Sequence, residues 1–299
     1  MIRQTGSRRS LLLTTILALF VLVACDTGLP GAGESQPVQT PQGNTAAPDE
    51  STGSAAVEVQ AMAQRPVVAE TLPYAEVDEE LVYGHFVFPA DMVDPLPGVI
   101  VIHEWWGLND GVRSMADRIA AEGYVVLAVD LFGGGSTKSP AEAREMLVSV
   151  VENPVLAEEN IRQAYQFLVD SGQAPKIGAL GWDFGGGWAL TTATLFPDDL
   201  DATVIYYGQV SSDEGRLAPV DVPILGLFGA NDSGIPVASV QRFERALQNL
   251  GKVYEIEIYP DVGHAFADPQ GSKYDAAVAE QAWSRALAFL NQHLANSTE

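Results

Sequence analysis

Asp183 occupies a position where a side chain is presented for chemistry. It stands in GALGWDFGGG, residues 178 to 187, where small residues flank one central side chain. A strand-to-helix turn of this kind needs glycines, because the turn is tight and the following helix packs closely. Serine or cysteine is the usual central residue. The spacing therefore predicts a nucleophile position, and in this chain a carboxylate fills it.

Two further side chains follow in an order that suits nucleophilic catalysis. Asp232 lies in GANDSGIP and His264 in DVGHAF, each after an apolar segment. A histidine can activate a nucleophile or water with one ring nitrogen while a buried carboxylate fixes its tautomer through the other. Taken singly, Asp232 could cap a turn and His264 could be a core histidine. Together with Asp183 they predict a hydrolase site in the α/β-hydrolase order of nucleophile, acid and histidine.

The segment HEWWGLN, residues 103 to 109, predicts a further part of this site. In α/β-hydrolases the loop at this place donates one backbone N–H to the oxyanion hole, and the residue after the nucleophile donates another. The expected donors are the N–H groups of Trp105 and Phe184. Core packing of Trp105 and Trp106 is an equally good interpretation of the two aromatic residues.

The sequence predicts chemistry without metal, cofactor or thiol. His103 and Glu104 do not begin an HExxH zinc motif, because Gly107 stands where the second histidine would be. Cys25 is the only cysteine, so the folded domain has neither a disulfide nor a cysteine nucleophile.

Apolar segments and helical periodicities alternate along the chain after about residue 80. This alternation predicts an α/β domain with a mainly parallel sheet and helices on both faces, and ligands at the carboxyl ends of its strands. The predicted strands are 81–88, 98–103, 124–129, 176–181, 202–207, 223–229 and 253–259. The predicted helices are 109–122, two that open at Pro140 and Pro154, 185–196, 236–250, and a last one that carries Trp283 and Leu294.

The amino-terminal residues indicate export and lipid attachment. Residues 1–24 combine three arginines with an apolar run that is too short for a comfortable membrane span, which is typical of a signal peptide. The run ends in LVAC at Cys25 and resembles a bacterial lipobox; a signal in which Cys25 is incidental is the alternative. SRRSLL, residues 7–12, leaves the export route open between the general and twin-arginine systems. We expect a lipidated, flexible tether over residues 25–69, a hydrolase domain over 70–299, and a location on the extracytoplasmic side of a membrane.

The charge of the chain excludes some classes of partner. It carries 39 acidic and 16 basic residues, a formal net charge of −23, and removal of residues 1–24 would take away three arginines and bring the charge to −26. Such a surface repels nucleic acid and anionic lipid. The expected partners are a small-molecule substrate and, through lipid at Cys25, a membrane.

Four motifs together resemble the dienelactone hydrolase family. They are HEWWGLN at 103 to 109, GYVVLAVDLF at 123 to 132, GWDFGG at 181 to 186 and GHAF at 263 to 266. The resemblance covers about residues 70 to 296 and implies an α/β-hydrolase fold that hydrolyses lactones or related esters. It also implies catalytic roles for Asp183, Asp232 and His264, and places at Glu104 the glutamate that contacts the resting nucleophile.

Two departures from the family pattern change the expected substrate. Asp183 replaces the family's cysteine or serine. The two positions that would hold arginines for a substrate carboxylate carry Gly134 and Asp268. An anionic dienelactone is therefore not favoured as the substrate.

A carboxylate nucleophile favours attack on saturated carbon. On an ester carbonyl Asp183 would form an anhydride, which is less stable than the substrate, whereas displacing a halide or opening an epoxide leaves a stable alkyl ester that His264 can hydrolyse through water. Haloalkane dehalogenases and epoxide hydrolases on this fold are similar in using an aspartate. The alternatives are an ester or lactone hydrolase in which Asp183 activates water, and an inactive, lipid-anchored binding protein on the same scaffold.

Overall fold

An eight-stranded sheet forms the centre of the structure, which a computed structural model describes for residues 65–295. The strands are β1 Val67–Val77, β2 Glu80–Pro89, β3 Gly98–Ile102, β4 Val125–Val129, β5 Ile177–Trp182, β6 Ala202–Tyr206, β7 Ile224–Gly229 and β8 Tyr254–Tyr259. Their spatial order is β1-β2-β4-β3-β5-β6-β7-β8. From β4 to β8 all neighbours are parallel, and β1 and β2 add an antiparallel edge.

Helices cover both faces of this sheet. They are α1 Asp110–Ala121, α2 Pro140–Glu152, α3 Pro154–Asp170, α4 Phe184–Leu195, α5 Glu214–Leu217, α6 Val237–Asn249 and α7 Ala276–Leu294. None of the helices between residues 65 and 295 combines the length and apolar character needed to cross a bilayer.

The central strands are almost entirely apolar because both of their faces are buried. Along β3, Ile100 and Ile102 pack into the core that α3, α4 and α6 complete, whereas Val99 and Val101 point into the core completed by α1 and α7. This layering is the predicted α/β architecture.

The edge strand β1 was not predicted. It pairs with β2 from Val67 opposite Pro89 to Val77 opposite Glu80, so the folded domain begins inside the range 25–69 that we expected to be tether. The predicted boundary at residue 70 is therefore too late. Most β1 residues are exposed, so backbone pairing holds the strand and its sequence carries little apolar signal. The predicted signal peptide and Cys25 lie outside the described residues.

The parallel strands bring polar residues to one edge of the sheet. Parallel strands end on the same side, and the chain continues from these carboxyl ends into the connecting loops. Glu104 follows β3, Asp183 follows β5, Tyr207 follows β6, Asp232 follows β7 and His264 follows β8.

Candidate active site

Asp183 sits in a strained turn between β5 and α4. Its backbone has φ 52° and ψ −114°, a conformation that non-glycine residues rarely adopt and that is commonly found at functional sites. A Cβ on Gly181 would lie 2.1 Å from the carbonyl oxygen of Gly185, and one on Gly185 would lie 2.2 Å from that of Ile102. The two glycines are therefore required by the close approach of β3, β5 and α4.

The three side chains expected to act together form one hydrogen-bonded chain. Asp183 Oδ1 lies 2.9 Å from His264 Nε2, and His264 Nδ1 lies 2.8 Å from Asp232 Oδ2. The second oxygen of Asp232 accepts the backbone N–H groups of Gly234 and Ile235 at 2.7 and 2.9 Å. Asp232 is buried and doubly anchored, so it fixes the orientation of the imidazole.

The two carboxylates determine the charge of His264. Burial opposes a positive ring, but hydrogen bonds with Asp183 and Asp232 and their negative charges outweigh it and raise the pKa of His264 to about 10. Burial likewise works against ionisation of Asp232, but its hydrogen bonds with His264 and with the backbone of Ile235 and Gly234, together with the charge of His264, outweigh burial and lower its pKa. At neutral pH the site is therefore an imidazolium between two carboxylates.

Glu104 is a second carboxyl group beside this chain of three residues. Burial, followed by the negative charges of Asp268 and Asp183, raises the pKa of Glu104 to about 8. The buried hydroxyl of Tyr207 donates a hydrogen bond to Glu104 Oε1 at 3.3 Å, and the Tyr207 ring packs edge-on against His264. At neutral pH Glu104 therefore holds a proton that it can donate.

His103 supports the backbone of the Glu104 loop. Its Nδ1–H donates to the carbonyl oxygen of Glu104 at 2.7 Å, and its Nε2 accepts the backbone N–H of Leu131 at 3.1 Å. Burial lowers the pKa of His103, and the two hydrogen bonds fit one neutral tautomer. His103 is therefore a structural residue. Within residues 65–295 no cluster of three His, Cys, Asp or Glu side chains is arranged to hold a metal ion.

The two expected oxyanion donors lie on the loop after β3 and at the start of α4. Phe184 is the first residue of α4, where backbone N–H groups lack intrahelical acceptors. Neither its N–H nor that of Trp105 bonds to another described residue. The rings of Trp105 and Trp106 pack together, with centroids 4.4 Å apart. The backbone N–H groups of Trp105 and Phe184 are therefore available to a ligand. Their role in an oxyanion hole stays a prediction.

A cavity of about 910 Å³ opens beside Glu104 and Tyr207. Aromatic, polar and charged side chains line it, among them Trp106, Trp182, Asn109, Arg113, Ser136, Thr137, Lys138, Asp268 and Gln270. Asp183 and His264 are not part of this lining, and their side chains are 25% and 28% exposed. The family pattern places arginines at two positions that hold Gly134 and Asp268 in this chain. Asp268 faces the cavity, whereas Gly134 is exposed on a loop.

Tyr207 and Arg113 were not predicted as site residues. Tyr207 directly follows β6, and this position at the carboxyl edge of the sheet could have identified it in the sequence. Arg113 lies on α1 among other polar residues, and nothing in its sequence context distinguishes it.

Comparisons with known proteins show the family of the chain. The family model of the dienelactone hydrolase family matches residues 83–294. A candidate carboxymethylenebutenolidase of Escherichia coli (strain K12) is 32% identical over 219 residues, which are 69% of this chain and 80% of the relative. Protein usf of Aquifex pyrophilus is 30% identical over 205 residues, 66% of this chain and 89% of the relative.

Solved structures define the class of fold. A candidate dienelactone hydrolase from Klebsiella pneumoniae is 26% identical with a TM-score of 0.70, covering 76% of this chain and 99% of the other. A dienelactone hydrolase-like promiscuous phosphotriesterase from metagenomic libraries has the same TM-score at 22% identity, covering 76% and 98% of the two chains, and shares the fold. The protein is therefore an α/β-hydrolase, as predicted. Within that class the chain belongs to the dienelactone hydrolase family, which confirms the resemblance of its four motifs.

Proposed function

We propose that this hydrolase acts through Asp183 as a covalent nucleophile toward saturated carbon, on small epoxides or alkyl halides. The observation that carries the proposal is the pair of distances around His264: 2.9 Å to the Asp183 carboxylate and 2.8 Å to Asp232. Asp183 at the strained turn is thus linked through the histidine to a second acid in one hydrogen-bonded chain. Asp232 orients His264, and His264 serves the second step of the reaction.

In the first step an Asp183 oxygen attacks the substrate carbon. The new carbon–oxygen bond forms as the carbon–leaving-group bond breaks, and the leaving group takes the electron pair. A leaving oxygen also needs a proton, and Glu104 holds one at neutral pH. A departing halide needs none, so the protonated Glu104 supports epoxides over halides.

In the second step water hydrolyses the ester at Asp183. Esterification removes the negative charge of Asp183, which is one of the two charges that raise the pKa of His264. The imidazole can then lose its proton to solvent and act as a base that takes a proton from water. The resulting hydroxide attacks the Asp183 carboxyl carbon, and the backbone N–H groups of Trp105 and Phe184 hold the oxyanion. The bond from that carbon to the substrate oxygen then breaks, and the alcohol leaves with the proton that His264 took from water.

Trapping of the ester tests the proposal. In His264→Gln the first step remains and the second is lost, so a reactive epoxide should add one substrate mass per chain, located on the peptide that contains Asp183. Asp183→Asn is the matched control and should add none. A His264→Gln chain that stays unmodified by every epoxide and alkyl halide of a panel would contradict the proposal.

A binding protein on this scaffold is the second candidate, and the resting ion pair favours it. Asp183 is already paired with a charged His264, which reduces its reactivity as a nucleophile. In that case the wild-type protein would turn over no ester, epoxide or halide. It would still bind its ligand, and Asp183→Asn would change the affinity.

We also propose that the enzyme is a lipoprotein, anchored through Cys25 on the extracytoplasmic side of a membrane. The support is the lipobox-like sequence that ends at Cys25, the only cysteine of the chain. Cys25→Ser, expressed in a bacterium fed labelled palmitate, should lose both the label and its sedimentation with membranes. Equal labelling of wild type and variant would contradict the anchor.

A further inference from the structure

Exposed aliphatic side chains gather where α2 turns into α3. Val151 at the end of α2 and Val155 and Leu156 at the start of α3 are 57%, 71% and 42% exposed. Leu81 of β2 is 55% exposed and lines one cavity of about 430 Å³ together with Leu156 and Asn153. Single apolar residues on a surface are ordinary, whereas a group of them around a cavity marks an interaction surface. We call Leu81, Val151, Val155 and Leu156 the corner patch.

Carboxylates surround the corner patch. Four of the five residues from 76 to 80, at the turn between β1 and β2, are acidic, and α2 and α3 add more. The exposed acidic residues here are Glu76, Asp78, Glu79, Glu80, Glu152 and Glu159. None of these six forms an ion pair with another residue of the range 65–295. Their negative charges are therefore available to a partner.

The wall of the 430 Å³ cavity carries acidic but no basic side chains. Asp78 and Glu80 line it, and no lysine or arginine of the described part of the chain does. The third carboxylate of the wall, Asp130, is buried and accepts backbone N–H groups of its own loop. Arg144 and Arg162 are the only basic residues of α2 and α3, and neither lines the cavity. The surface therefore combines apolar contact with a negative potential.

Hydrogen bonds hold the acidic turn against α3. The side chain of Gln163 accepts the backbone N–H of Glu76 at 2.9 Å and donates to the carbonyl oxygen of Glu76 at 2.8 Å. It also donates to Glu159 Oε1 at 2.8 Å. The turn and the helix are thus fixed relative to each other, so a partner can bind without first ordering them.

We infer that the corner patch docks a protein segment that combines apolar and basic side chains. Its apolar side chains would enter the cavity between Leu81 and Leu156, and its lysines or arginines would meet the surrounding carboxylates. A second copy of this chain fits less well, because a twofold contact would set the same carboxylates against each other. The surface shares no residue with the cavity beside Glu104 and does not rest on the proposed function.

Calorimetric titration of the full-length chain with three peptides tests the surface. The first peptide is an amphipathic helix of leucine and lysine, the second carries glutamate for every lysine, and the third carries alanine for every leucine. We expect the leucine–lysine peptide to bind about tenfold or more tightly than either of the others.

Matched variants locate the binding. Leu156→Ser and Glu80→Lys should each weaken the leucine–lysine peptide about tenfold, because one removes apolar contact and the other reverses a charge at the cavity. Val253→Ser, at a 58% exposed position before β8, and Glu70→Lys, at an exposed position on β1, are the controls and should leave the affinity unchanged. If Leu156→Ser lowers the melting temperature, Val155→Ser at the more exposed position makes the same test.

The inference would be overturned by equal binding of the leucine–lysine and alanine–lysine peptides, which would mean that net charge alone attracts them. Equal binding of the glutamate peptide, no binding of the leucine–lysine peptide, or equal losses in patch and control variants would also reject it. Two further results would assign the surface to another occupant. One is a dimer in sedimentation that Leu156→Ser abolishes, and the other is capture of the Cys25→Ser chain by neutral phosphatidylcholine vesicles that is lost when Leu156→Ser is added.

Discussion

The carboxylate at position 183 changes the charge of the whole site. A serine or cysteine there would leave His264 with one acidic partner, whereas Asp183 supplies a second and makes the resting ring an imidazolium. In the mechanism that we propose, the base that hydrolyses the ester is thus withheld until the nucleophile has been esterified. Glu104 complements this arrangement, because its proton is retained by burial and by the charges of Asp268 and Asp183.

Glu104→Gln should make the protein more stable at alkaline pH. The pKa of Glu104 is about 8 in the folded protein, against an ordinary value of 4.5, so the folded state binds this proton more tightly than the unfolded state does. Stability from this group is complete below pH 4.5 and is lost as the pH rises toward 8. We expect the variant to gain about 1–3 kcal/mol over wild type near pH 9 and little near pH 5.

Urea unfolding of both proteins at several pH values measures this difference. His264 titrates in both proteins. The difference between their free energies of unfolding at each pH therefore gives the contribution of Glu104. A stability difference that is constant from about pH 5 to pH 9 would mean that Glu104 is already ionised at neutral pH.

Among the elements, α4 contains two glycines in its first turn, of which one is closely packed and the other has space for a side chain. A Cβ at Gly185 would lie 2.2 Å from the carbonyl oxygen of Ile102, whereas one at Gly187 would meet nothing nearer than 3.5 Å. Both residues lie in the first turn of the helix that carries Asp183 at its amino end. Close packing against β3 therefore constrains only the first of them.

Gly185→Ala and Gly187→Ala form a matched pair. The first should cost more than about 3 kcal/mol, because backbone must move away from β3. The second should gain about 0.5–1 kcal/mol, because alanine is the better helix former. Equal unfolding midpoints in urea for the two variants would show that the close approach at Gly185 does not constrain the helix.

The sequence predicts elements well where burial determines the residue types. The strands on either side of Asp183 are fully buried and almost entirely apolar, and their predicted positions agree with β5 and β6 to within one residue. Edge strand β1 has no such signal: it is largely exposed, and Pro73 marks a register shift in its pairing. The start of α2 at Pro140 was predicted. Its N-cap residue Ser139 makes no side-chain cap, and Glu142 accepts a hydrogen bond from the Thr137 hydroxyl.

The residues of the site were predictable only where strand order alone places them. Asp183, Asp232 and His264 follow parallel strands, so the topology brings them to one edge of the sheet. The cavity is different, because helix α1 and two loops form it together. How those segments pack against each other decides that Arg113 faces inward, and no local pattern encodes that packing.

For the whole molecule, β1 closes the antiparallel edge of the sheet. Tyr74 on this strand is buried, and its hydroxyl donates to Asn160 of α3 at 2.5 Å. The strand therefore joins the sheet to the helical layer.

A chain that begins at residue 78 should be much less stable than one that begins at residue 65. Loss of β1 removes a buried tyrosine and exposes the edge of β2, so we expect a melting temperature lower by about 10 °C or more, together with aggregation. Calorimetry of the two chains measures the difference. Identical melting temperatures would mean that β1 is not an integral part of the fold.

Single turnover in heavy-oxygen water tests most directly whether Asp183 is the covalent nucleophile. The wild-type protein is used in excess over an epoxide, and the reaction is quenched after one turnover. Mass spectrometry then measures the masses of the alcohol product and of the peptide that contains Asp183. If an ester forms at Asp183, the product takes its oxygen from the protein and the heavy oxygen remains in the Asp183 peptide. Heavy oxygen in the first product with an unlabelled Asp183 peptide would contradict the account, because water would then have attacked the substrate directly.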